Sequence, residues 1–143
     1  LLYCSSLDCQ VSVINPDSMT TVHVYRDHEL PAMRVDCSPL DVNLFASASS
    51  DATCRVYDRR GASICTVLHK PDEQNAVRFH PRNEHLIGVA GDAGTVAVHD
   101  LRQPREALCN WLLKLGRGPS VSVPSCTSLD WDPLGDQVIV SCQ

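Results

Sequence analysis

The sequence predicts an all-β fold assembled from repeated four-stranded units, and three observations lead there. Short runs rich in Val, Thr and Ile recur along the 143 residues. Turn-forming Pro, Gly, Asp and Asn separate these runs at regular intervals. One strand-and-turn arrangement then returns 42 residues later.

The repeat begins at Val35-Asp36-Cys37-Ser38-Pro39 and runs to Tyr57-Asp58-Arg59-Arg60. Shifted by 42 positions it lies, without a gap, on Val77 through Arg102, and eight of the 26 pairs are identical. They are Val35/Val77, Pro39/Pro81, Leu44/Leu86, Ala48/Ala90, Thr53/Thr95, Val56/Val98, Asp58/Asp100 and Arg60/Arg102. A period in the range ~40–45 is that of a four-stranded propeller blade. The expected fold is therefore a partial β-propeller: two nearly whole blades with pieces of two more beside them.

Each element follows from local chemistry. Thr21 to Tyr25, Thr53 to Tyr57, Ile64 to Leu68 and Thr95 to His99 have the β-branched content of strands. The segments from Ser38-Pro39 and His80-Pro81 read as turns between a blade's first two strands. Ser50-Asp51-Ala52 and Gly91-Asp92-Ala93-Gly94 read as the next turns, where Asp bonds its own backbone. Trp111 to Leu115 reads as an outer strand, with Trp111 covering an edge. Leu129-Asp130-Trp131-Asp132-Pro133 restarts the pattern after an insertion of about ten residues, placed at 116–125 (GRGPSVSVPS). At the front, Val11 to Asn15 restates the strand that ends at Asp58. The expected division is 1–26 as the end of one blade, 27–68 and 69–115 as blades, 116–125 as an inserted loop and 126–143 as the start of the next. Leu1-Leu2-Tyr3-Cys4 reads as the interior of a strand, so the chain is expected to be part of a longer protein.

Composition narrows the function. A formal charge of -5 and a pI near 5.6, without a basic stripe, argue against binding nucleic-acid phosphates. No run approaches the ~18 apolar residues of a membrane span. The eight cysteines are dispersed, with no CxxC pair, and most sit among apolar strand residues as small hydrophobes. Reduced thiols in the cytoplasm or nucleus are the expectation. There is no G-x-S-x-G elbow and no Cys/His signature, and Gly91–Gly94 lacks the Lys-Ser/Thr of a phosphate loop. His80 and His85 are expected to be solvated loop residues, not metal ligands. No catalytic residue, cofactor or metal is expected.

With Pro39, Asp51 and Tyr57-Asp58 in place, the chain resembles the WD-repeat (WD40) family. The resemblance implies a blade-stabilising tetrad of His, Ser/Thr, Asp and Trp. His28, Ser47 (or Ser49) and Asp51 match it, with Tyr57 where Trp is usual. In the next blade His69 and Asp92 fit the pattern, while Val89 and His99 do not. Tyr57-Asp58-Arg59-Arg60 and His99-Asp100-Leu101-Arg102 further resemble the DWD box of substrate receptors of the cullin-four RING ubiquitin ligase. That implies a scaffold that docks on the ligase adaptor through Tyr57, Asp58, Arg60, His99, Asp100 and Arg102 and presents an unidentified substrate protein. A scaffold subunit of another complex, in chromatin or trafficking, is the alternative. An enzyme on a propeller scaffold is a distant one.

Overall fold

Strands form here because small and β-branched residues alternate over two buried faces, and the turns between them are built by side chains that accept backbone N–H bonds. The computed structural model describes residues 1–61, 64–70, 72–114 and 122–143, apart from the side chains of Ile64, Cys65 and His69. The described residues make thirteen strands and no helix.

β1 (Leu2–Ser5), β2 (Val11–Asn15) and β3 (Thr20–Tyr25) form one antiparallel sheet. β4 (Ala32–Cys37), β5 (Leu44–Ser49), β6 (Thr53–Asp58) and β7 (Ile64–His69) form the second. β8 (Gln74–Phe79), β9 (Leu86–Gly91), β10 (Thr95–Asp100) and β11 (Ala107–Leu112) form the third, and β12 (Cys126–Trp131) pairs with β13 (Val138–Cys142) in the fourth. Each sheet is a meander in chain order, as expected of propeller blades. β4, β5 and β6 begin 42 residues before β8, β9 and β10, so the sequence period is the structural period. Of the expected insert at 116–125, residues 116–121 lie outside the described part.

The sheets pack face to face, and strand alternation sends neighbouring residues to opposite interfaces. On β5, Phe45 points to the first sheet while Ala46 and Ala48 point to the third. Phe45 joins Val11, Val13, Tyr25, Ala32 and Tyr57 in one core cluster. Ala46 and Ala48 join Cys54, Val56, Leu68, Val77, Phe79, Ile87, Val89 and Ala97 in another. Ala76, Ala90, Val96, Cys126 and Leu129 close the interface with the fourth sheet. Each large apolar side chain buried this way contributes about 1.5–3 kcal/mol.

In the second, third and fourth sheets the turn after the first strand is built in three different ways. Ser38 Oγ accepts from the amides of Leu40 and Asp41 at 3.3 and 3.2 Å. His80 Nδ1 accepts from Arg82 and Asn83 at 3.0 Å each. The Asp132 carboxylate accepts from Leu134 and Gln137 at 3.2 and 2.7 Å. His80 thus departs from expectation. It is half-buried rather than solvated, its Nε2 donates to the Gly135 carbonyl at 3.1 Å, and its ring packs 4.7 Å from Trp131. The close approach needs glycine: a Cβ at Gly135 would stand 2.2 Å from the His80 ring, and Gly135 has φ +84°.

Candidate protein-interaction site

The repeated Asp-x-Arg closes β6 and β10 in the same way. Asp58 Oδ1 accepts the Arg60 amide at 2.8 Å, and Asp100 Oδ1 accepts the Arg102 amide at 2.9 Å, each carboxylate bonding the backbone two residues on. The same carboxylates then grip their own arginines. Arg60 Nε lies 2.9 and 3.0 Å from the two Asp58 oxygens, with Nη2 at 2.5 Å. Arg102 Nε lies 2.9 and 3.2 Å from those of Asp100, again with Nη2 at 2.5 Å. Arg60 adds a bond to Asp41 at 3.1 Å. The fork holds Asp58 below its ordinary range and holds Asp100 at about 2, in each case chiefly through the hydrogen bonds from the arginine.

Both guanidiniums nevertheless remain open to solvent, at 61% and 63% of side-chain exposure. A charge oriented in advance and left exposed loses little freedom when it meets a partner. At the equivalent end of β2, Asn15 accepts the Asp17 amide at 2.9 Å, so the turn is kept but no arginine emerges. Tyr57 and His99, the aromatic members of the two motifs, are buried.

The structure brings His28, Ser47 and Asp51 together. His28 Nδ1 is 2.8 Å from Asp51 and Nε2 is 2.6 Å from Ser47 Oγ. Asp51 also accepts from Thr53 Oγ1 at 2.5 Å and from the Glu29 amide at 3.1 Å. Burial resists ionisation of Asp51, but the bonds from Thr53, His28 and Glu29 outweigh it and hold the carboxyl at about 2. Burial lowers His28 against the pull of Asp51. Ser49 instead donates to the Leu30 carbonyl at 3.0 Å. Tyr57 Oη makes no hydrogen bond of regular geometry, and burial pushes it up to about 12 with the Ser47 hydroxyl opposing. Its ring stacks on Phe45 at 4.7 Å and 8°.

The third sheet uses other residues. Asp92 turns outward to Ser125 Oγ at 2.5 Å and Asn75 at 3.3 Å, joining the fourth sheet. The His69 side chain lies outside the described residues. The loop is tied to the turn by Asp72, which the sequence did not single out. It accepts from the Ala93 amide at 2.8 Å and from Thr95 Oγ1 at 2.9 and 2.8 Å. Gly91 was the available signal: a Cβ there would stand 2.3 Å from Asp72 Oδ2. His99 takes the Tyr57 position, 3% exposed, with both ring nitrogens lacking a regular hydrogen bond. Burial, aided by Lys70 and opposed by a backbone hydrogen bond to Pro104, holds it at about 4.

Across the inner strands, Asp36 of β4 accepts from Arg78 Nη1 of β8 at 2.6 Å and from the Phe79 amide at 2.8 Å. These bonds join neighbouring sheets at one repeat position. Among the described residues no helix is long and apolar enough to cross a membrane.

Residues 19–58 match the family described as WD domain, G-beta repeat. The match starts just before β3 and ends with β6, so the sequence unit is offset by one strand from the sheet. The chain is 25% identical over 101 residues to histone acetyltransferase type B subunit 2 of Candida glabrata, covering 71% of this chain and 22% of that protein. It is 34% identical over 77 residues to the guanine nucleotide-binding protein subunit beta of Zea mays, covering 52% and 20%. It is 38% identical over 64 residues to polyadenylation factor subunit 2 of Schizosaccharomyces pombe, covering 43% and 12%. The chain spans about a fifth of the first two curated relatives and less of the third. Over residues 19–58 the chain is thus similar to WD-domain repeats, and over longer stretches to the relatives above.

Proposed function

We propose that this WD-repeat chain, with 27–68 and 69–115 as its two nearly whole blades, is part of a protein-interaction scaffold whose docking face carries Arg60 and Arg102. One observation carries the reading: two forks of the same geometry, 42 residues apart, each hold an exposed guanidinium at the end of the corresponding strand. Exposed arginines are favoured interface anchors. The ion pairs these exposed side chains make add little stability, as surface pairs do.

The finer reading is a substrate receptor that docks on the adaptor of a cullin-four RING ubiquitin ligase, in the cytoplasm or nucleus, supported by the resemblance of the two motifs to the DWD box. Asp58 and Asp100 act in it by aiming the arginines, and the buried Tyr57 and His99 act by fixing the strands behind them. A second reading, a scaffold subunit of another assembly, is favoured by the relatives, each of which is named as a subunit.

The test is affinity purification of the full-length protein, wild type against Arg60→Ala/Arg102→Ala. Recovery of the ligase adaptor by wild type with loss of most of it in the double variant supports the receptor. Equal recovery removes the arginines from docking. Recovery by neither, with a different complex captured through the same arginines, supports the second reading.

A further inference from the structure

Cys126 and Cys142 face each other across β12 and β13, with their sulfurs 3.8 Å apart. The next pair outward, Ser125 and Gln143, exchanges both backbone bonds, at 3.1 and 3.0 Å. Cys126 and Cys142 are therefore a non-hydrogen-bonded antiparallel pair, the position where Cα atoms approach to about 4.5 Å and side chains lie closest. That separation lies within the range a disulfide spans. Cys126 is fully buried against Ala76, Ala90, Val96 and Leu129.

We propose that Cys126 and Cys142 form a reversible redox staple that joins the two strands of the fourth sheet when hydrogen peroxide oxidises Cys142. The Cys142 thiolate attacks hydrogen peroxide: an S–O bond forms, the O–O bond breaks, and the leaving hydroxide takes up the proton lost by the Cys142 thiol and departs as water. The Cys126 sulfur then attacks the Cys142 sulfenic acid. The S–S bond forms, the S–O bond breaks, and hydroxide leaves with the Cys126 proton as a second water. Two thiols and one peroxide yield one disulfide and two waters, with two electrons passing from sulfur to oxygen. The order of attack follows from burial, which, with Cys142 alongside, pushes the Cys126 thiol well up. The staple sits where Asp92 and Asn75 of the third sheet reach Ser125 and the Cys126 carbonyl, so it fixes the strand that receives those bonds.

The test treats the reduced full-length protein with hydrogen peroxide, blocks the remaining thiols and maps peptides without reductant. The expected result is a Cys126–Cys142 linked peptide that forms while the exposed Cys109 is still recoverable as thiol, and that glutathione returns to two thiols. In Cys142→Ser, which leaves the buried sulfur in place, Cys126 stays reduced under the same treatment. Oxidation of Cys142 to the sulfinic acid with Cys126 still a thiol would overturn the staple. A link that glutathione leaves intact would overturn its reversibility.

Discussion

The second and third sheets share a period, a topology and a turn geometry, yet they anchor their incoming loops from opposite sides. In the second sheet the carboxylate sits in the turn, as Asp51, and the loop supplies His28 and the Glu29 amide. In the third the carboxylate sits in the loop, as Asp72, and the turn supplies the Ala93 amide, Ala93 standing 42 residues after Asp51. Thr53 and Thr95 donate to the acid in both. What the blade requires is a charge-assisted tie between loop and turn, and which partner carries the charge is free to change. The interfaces differ in parallel. Between the first and second sheets, Tyr3, Tyr25, Phe45 and Tyr57 form an aromatic cluster. Between the second and third, aliphatic and small residues form the cluster, with no aromatic ring but Phe79.

The largest break in this comparison comes from the aromatic side. Phe45→Ala removes the ring stacked on Tyr57, and we expect a loss of about 3–5 kcal/mol in the full-length protein by denaturant titration. At the equivalent position Ile87→Ala should cost about 2–4 kcal/mol. A cost at Ile87 well above that at Phe45 would deny the aromatic cluster its dominant place.

His99 sharpens the comparison through pH. Held at about 4 in the fold against 6.5 ordinarily, it is protonated first in the unfolded chain as pH falls. Stability that is complete above pH 6.5 therefore drains away between 6.5 and about 4, by about 3 kcal/mol in all. His28, also lowered, adds to the loss in the same direction. Asp51, held at about 2, keeps its contribution down to pH 3.8 and loses it below. His99→Leu should flatten the protein's melting temperature between pH 6.5 and 4, because the group that titrates there is gone. An unchanged pH profile would show that His99 is satisfied in solution.

The smallest expected effect lies in the turns. Ala52 adopts φ +62° where the third sheet has Gly94 at +68°. Ala52→Gly should be neutral or stabilising by at most about 1 kcal/mol in thermal melts, because glycine carries no Cβ penalty there. A clear destabilisation would mean that the Ala52 methyl group packs.

The strands and turns were legible because a fixed 42-residue period superposes their patterns, and His28, Ser47 and Asp51 were legible because their residue types recur in a known family. Asp72 was not legible: it falls at the repeat position of Leu30, where the second sheet has no acid. Its trace was Gly91, a glycine replacing Ser49, which marks a close approach but does not name what approaches. His80 was read as solvated because histidine is seldom counted among turn acceptors, although Ser38 and Asp132 at equivalent positions accept the same kind of bond. The Cys126–Cys142 pairing depends on an irregularity in register beside Cys126, which composition does not reveal.

The most direct measurement is a double-mutant cycle in the full-length protein between Asp72 and Thr95, using Asp72→Ala and Thr95→Val and following unfolding at neutral pH. If the carboxylate ties the loop to the turn of the third sheet, the two residues couple by about 1 kcal/mol or more. Additive effects, with no coupling, would contradict the tie and return the anchor of that blade to other residues.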